Sequence, residues 1–163
     1  MTFPVNAPNG RSTAHDSEAL VGRDPILLQD GASARRGYTS EAAWSPDMLQ
    51  GAPTSPPILF EGSEHPETVD LKTARAFFVR SLETEAQGEP IHFHDNLPHA
   101  ELLWVRLVLE DDEQFEGMMS NSAGLILDQF LVLIPTDPQT NTRKILFSRE
   151  QVREFHVLGV RAG

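Results

Sequence analysis

Leu102-Leu103-Trp104-Val105-Arg106-Leu107-Val108-Leu109 is the stretch on which the reading of the chain turns. Successive side chains of a strand point to opposite faces. Leu103, Val105, Leu107 and Leu109 therefore share one face, wholly apolar, which is predicted to enter a core. Asp111-Asp112 supplies a turn, and Glu113 to Met119 returns the chain with Phe115 inward and Gly117 where a strand can bend sharply. A third strand is predicted from Asp128 to Pro135, almost entirely apolar through Phe130-Leu131-Val132-Leu133-Ile134. Turn formers from Thr136 to Asn141 lead into a fourth strand at Lys144 to Ser148, and Val152 to Leu158 gives a fifth. Ser148 is also an acceptable cap, so a helical turn over Ser148 to Arg153 is the alternative there.

Upstream, Pro25-Ile26-Leu27-Leu28-Gln29 is a short apolar strand, Asp30-Gly31 a hairpin pair, and Gly37-Tyr38-Thr39 the end of a second strand. Trp44 to Pro57 carries Pro46, Gly51, Pro53, Pro56 and Pro57 and reads as a long loop. Ile58 to Phe60 and Thr68 to Leu71 are read as short strands, and Ala74 to Val79 as a longer one with Phe77 and Phe78 on opposite sides. If both are buried, one belongs inside a barrel and the other at an interface between barrels or chains. Ala74 to Val79 also aligns with Val152 to Val157, Asp30-Gly31 with Asp111-Asp112, and Gly37 with Gly117, all at an offset of about 80 residues. The expectation is an all-β protein of two tandem small five-stranded barrels of the Sm or SH3 kind. It comprises a disordered N-terminal tail over 1–19, a first barrel over 20–80, a linker over 81–100 and a second barrel over 101–163. The tail lacks large apolar residues that would offset the entropy of ordering it. The linker is polar and holds Gly88, Pro90 and Pro98.

Leu71-Lys72, Ala74 and Ala76-Phe77-Phe78-Val79-Arg80, followed by Phe115-Glu116-Gly117 and Ile134-Pro135-Thr136-Asp137-Pro138-Gln139-Thr140-Asn141, also form a pattern. The pattern resembles a bacterial family of unknown function with an LKAVFFVR segment and a DGE…G…PxDPxxNN segment. The resemblance spans about Leu20 to Leu158. The chain departs from it in Asp111-Asp112, in Thr142 for the second Asn, and in the Pro-rich loop before Ile58. The resemblance implies core and turn positions and no catalytic residue.

Lys+Arg number 13 against 24 Asp+Glu, a net charge of -11. That excess repels phosphate backbones and anionic membrane surfaces, so neither nucleic acid nor a membrane is the expected partner. With Cys 0, thiol catalysis, disulfide frameworks and Cys-based zinc sites are excluded. No stretch approaches the run of about 18 apolar residues that a membrane helix needs. Met1 to Ser12 lacks the apolar core of a signal peptide, and a cytoplasmic location is expected.

Ile91-His92-Phe93-His94, with His99 and Glu101 beyond it, is the one cluster suited to a divalent metal, because imidazoles two residues apart on a strand share a face. His92, His94 and His99 are the candidate metal ligands. Glu101 follows His94 by too many residues for a cupin pattern, and no second half-motif appears. A cyclic-dinucleotide receptor needs an Arg-x-x-x-Arg before an Asp/Asn-x-Ser-x-x-Gly. Arg149 and Arg153 instead follow Ser120-Asn121-Ser122-Ala123-Gly124, which itself does not fit. Arg35-Arg36 and Arg143-Lys144 are the adjacent basic pairs, while five residues of the seven from Glu110 to Glu116 are acidic, opposing an Sm-like RNA site. Nucleophile-elbow, P-loop and dinucleotide fingerprints are absent. The expected function is therefore a non-catalytic adaptor without cofactor, whose partner is another protein or a second copy. Metal binding through the His cluster and Sm-like RNA binding are the alternatives.

Overall fold

A computed structural model of the chain describes residues 21–83, 101–137 and 139–160. The predicted tail, most of the predicted linker, and His92, His94 and His99 lie outside the described residues. Among the described residues there are nine antiparallel strands: β1 Asp24–Asp30, β2 Ser33–Thr39, β3 Leu59–Phe60, β4 Ala74–Val79, β5 Leu102–Leu109, β6 Gln114–Ser120, β7 Phe130–Pro135, β8 Thr142–Ser148 and β9 Val152–Val160. They form one sheet in the order β3-β2-β1-β4-β8-β7-β6-β5-β9, which is not closed into a barrel.

The expected pair of barrels is thus replaced by a continuous sheet, and the cause is the pairing of β4 with β8. Each half presents an unpaired strand flank, and Arg75 to Val79 laddered on Phe147 to Thr142 satisfies both rows of backbone groups together. The halves are related in connectivity without being identical. In the first, the meander β1-β2-β3 is followed by β4, which returns to pair with β1; in the second, the meander runs through four strands, β5-β6-β7-β8, before β9 returns to pair with β5. The aligned glycines play matching parts in these meanders. A Cβ added at Gly37 would lie 2.5 Å from the Leu59 carbonyl oxygen, and one at Gly117 would lie 2.5 Å from that of Ile134.

Two cores lie on opposite faces of the central strands. Ile26, Leu28, Ala76, Phe78, Phe130 and Leu146 pack on one face with Trp44, Leu49, Ile58 and Phe60. On the other, Leu131, Leu133, Ile145 and Phe147 meet Leu103, Val105, Leu107 and Leu109 of β5, with Phe77 and Phe115 against them. The apolar face read from Leu102–Leu109 is therefore the inner wall of the second core. Strands covered on both faces read as continuous apolar runs, which is the character of Phe130 to Ile134. Phe77 and Phe78 do face opposite ways: Phe78 stacks edge-on to Trp44 at 5.6 Å and Phe77 to Phe115 at 6.0 Å.

Local details correct the sequence reading in three places. The two-residue hairpin loop is Gly31-Ala32, with Asp30 paired to Ser33, and Gly31 at φ 60 takes the first loop position that a type II′ turn reserves for glycine. The stretch from Trp44 is not all loop. A 3-10 turn over Glu41–Trp44 runs into a short helix α1, Pro46–Leu49, with Pro46 at its first turn, where a missing N–H costs nothing. Thr68 to Leu71 forms no strand: Asp70 makes a single bridge to Thr54, Val69 exchanges hydrogen bonds with Ser55, and the Leu71 amide donates to the Pro53 carbonyl. At Ser148 both expectations hold in turn. β8 ends there, the Ser148 side chain accepts from the Glu150 amide, and a 3-10 turn Arg149–Gln151 precedes β9.

Candidate interaction surface

Two concavities stand out among the described residues, and their chemistry differs. The larger, about 480 Å³, lies over β4 and is lined by Asp30, Lys72, Arg75, Glu110, Asp111 and Glu150, among others. Its floor is Arg75, whose side chain is only 8% exposed. Arg75 Nε donates to Gln151 Oε1 at 2.9 Å, and its Nη1 contacts Asp111 at 2.9 Å and also Glu113. Gln151 in turn donates to the Ala74 carbonyl at 3.1 Å. A guanidinium buried this deeply requires partners on all its donors. The Arg75 hydrogen bond holds the Asp111 carboxyl below its ordinary range against the opposing effect of burial. No buried side-chain nitrogen or oxygen among the described residues lacks a partner. This cleft is a clasp between the two halves, with Arg75 engaged by Asp111, Glu113 and Gln151.

Other charged residues prominent in the sequence also have partners within the chain. Arg35 makes two hydrogen bonds to Glu67, at 2.8 and 3.2 Å, and stacks 3.7 Å above the Phe60 ring. Arg36 donates to the Leu82 carbonyl at 3.0 Å. Arg143 and Lys144 both hold Glu41. The acidic turn after β5 is tied to arginines, with Asp111 and Glu113 on Arg75, Asp112 on Arg153 at 2.5 Å and Glu116 on Arg106 at 3.2 Å. Arg149, tested against a nucleotide-binding pattern, donates to the carbonyls of Asp128 at 2.8 Å and Leu125 at 2.6 Å. Glu101 adopts φ 71, and its carbonyl accepts from Asn121 at 2.9 Å. His156 is exposed and lies 2.9 Å from Glu154 on the same strand. Among the described residues no cluster of three or more His, Asp or Glu is placed to hold a metal ion.

The second concavity, about 370 Å³, is apolar. Leu125 and Ile126, Leu131 of β7, and Val152 and Phe155 of β9 line it, with the guanidiniums of Arg149 and Arg153 at its margin. Leu125 and Ile126 belong to a one-turn helix α2, Gly124–Leu127, with no fully buried residue. Ile126 is 77% exposed and Leu127 75%, and on β9 Val157 is 52% and Phe155 37% exposed. Leu125, Ile126 and Phe155 bring α2 and β9 together across this concavity. β9 also ends the sheet. Its inner edge pairs with β5, and its outer edge has no strand beside it among the described residues. The opposite end is blunted by shortness, because β3 has two residues and the chain turns away through Gly62.

Sequence reasoning missed α2. Leu125-Ile126-Leu127 sits between turn formers as three consecutive aliphatic residues, more apolar than a solvated loop, and that was the signal available. No helix among the described residues is long and apolar enough to cross a membrane. No curated protein and no solved structure matches the chain. A family model described as a family of unknown function (DUF6982) matches residues 25–159.

Proposed function

The chain belongs to this family of unknown function, and from that premise we propose that it is a non-catalytic interaction module, receiving its partner on the β9 edge and the adjoining apolar groove. The observation that carries this reading is the concentration of exposed Ile126, Leu127, Phe155 and Val157 around an open nine-residue edge strand. An open edge offers a row of unpaired N–H and C=O groups, and flanking apolar pockets can select the side chains of an incoming strand. The engagement of Arg75 by Asp111 and Glu113 supports the same reading, since the buried cation of the other cleft is already held by internal partners. The meander-and-return connectivity of each half supports descent from a small-barrel unit in which sheet edges serve as docking rails.

The test places a photo-crosslinking amino acid at position 126 or 155, and at Glu61 on the opposite side as control. The protein is irradiated in native cell extract. A discrete adduct formed from 126 and 155 and absent from 61 is expected. Equal labelling from all three positions, or none, would refute the reading.

A further inference from the structure

We propose that the occupant of the β9 edge is a second copy of this chain, paired antiparallel about a twofold axis that passes through Phe155. This deepens the interaction reading above and rests on it. Charge complementarity argues for self-pairing and selects the register. For a twofold axis normal to the sheet, the residue on the axis faces itself and its neighbours face each other symmetrically. Centring on Glu154 would set carboxylate against carboxylate, and centring on His156 would set imidazole against imidazole while leaving Glu154 opposite Leu158.

Centring on Phe155 sets Glu154 opposite the second copy's His156, twice by symmetry, and one phenyl ring against the other. Glu154 and His156 already lie within 2.9 Å of each other in one chain, so both side chains lie on one face of β9, where an incoming pair can share them. Phe155 lies opposite Leu107 and Val157 opposite Val105 in the ladder with β5, which places both on the core-ward face. The aromatic pair would therefore join the two apolar grooves into one covered surface. Arg153, at the register shift of β9 between Val152 and Glu154, is held back by Asp112 at 2.5 Å. The product is a continuous sheet through two molecules, in which β9 ceases to be an edge.

The absence of cysteine makes the register directly testable. In the full chain, Phe155→Cys places two thiols directly opposite each other, within disulfide reach. Val157→Cys places each thiol opposite Arg153 instead. Light scattering of the wild-type chain over increasing concentration is expected to show a dimer. Mild oxidation is expected to lock the Phe155→Cys variant, and not the Val157→Cys variant, as a covalent dimer. Glu154→Lys is expected to weaken association roughly tenfold, and combining it with His156→Glu to restore it, which loss of folding could not mimic.

A monomer at all concentrations, cross-linking favoured at 157, or no rescue by the charge swap would overturn the proposal. If the chain stays monomeric while positions 126 and 155 still capture another protein, self-pairing fails and the interaction reading survives. If neither occurs, both fall.

Discussion

Glu41 holds the first half to the second through charge. It sits at the start of a 3-10 turn, and its carboxylate contacts Arg143 and also Lys144 at 2.9 Å, while its backbone amide donates to Asp24 at 2.8 Å. Burial by itself would raise the carboxyl, but the hydrogen bonds and charges of Arg143 and Lys144 outweigh it and hold the group below 4.5. A carboxyl whose folded value is depressed binds its proton more weakly folded than unfolded. Its stabilisation is complete above the unfolded value and is lost as pH falls through the folded one. Glu41→Gln should therefore cost about 1–2 kcal/mol at neutral pH. Its denaturation midpoint should converge with that of the native chain under acid conditions below the ordinary carboxylate range. A deficit that persists unchanged at low pH would show that packing, not the ion pair, is at stake. Trp44, at the far end of the same turn, is fully buried and donates from Nε1 to Thr39 Oγ1 at 2.9 Å. Thr39 Oγ1 in turn donates a hydrogen bond to the Pro57 carbonyl at 2.9 Å. The turn is thus fixed by a carboxylate at one end and a buried indole relay at the other.

Gly37 of β2 and Gly117 of β6 each let a neighbouring strand cross at contact distance, against the Leu59 and Ile134 carbonyls. Alanine at either position must displace backbone rather than the end of a flexible side chain. Gly37→Ala and Gly117→Ala are each expected to destabilise the protein by about 1–3 kcal/mol in urea unfolding. Unchanged stability in both would mean that these strands do not approach as closely as described. The pairing of the two glycines was visible in the sequence as an aligned position, as were β5 to β9, because alternation and turn formers declare such strands locally. The union of β4 with β8 was not visible. Arg75 pairs with Phe147 across a long interval, and nothing within Ala74 to Val79 reveals which strand will lie beside it. Nor was Pro46 legible as a helix start, since proline signals both loops and first helical turns. Of the interaction surface, β9 was legible as a strand, whereas α2 is too short to show a period.

One sheet shared by both halves ties their stabilities together. Asn141 adds to the β4–β8 ladder by donating to the Ser81 carbonyl at 2.8 Å and accepting from its amide at 3.1 Å, and Arg75 clasps the opposite end of β4. Trp44 reports on the first core, and Trp104, fully buried with Nε1 donating to Glu116 at 3.1 Å, reports on the second half. In single-tryptophan variants Trp44→Phe and Trp104→Phe, the fluorescence and far-ultraviolet circular dichroism transitions of each variant should coincide. Separated midpoints would show that the halves melt independently. The β4–β8 union also carries a consequence for biosynthesis. Ala74–Val79 leaves the ribosome well before Thr142–Ser148, an interval of about 3–14 s at ordinary elongation speeds. Throughout it, the nascent chain holds a strand whose Phe77 flank has no cover and whose hydrogen-bonding row has no mate. The most exposed moment in the life of this polypeptide therefore falls mid-translation, before the strand that covers β4 has been made.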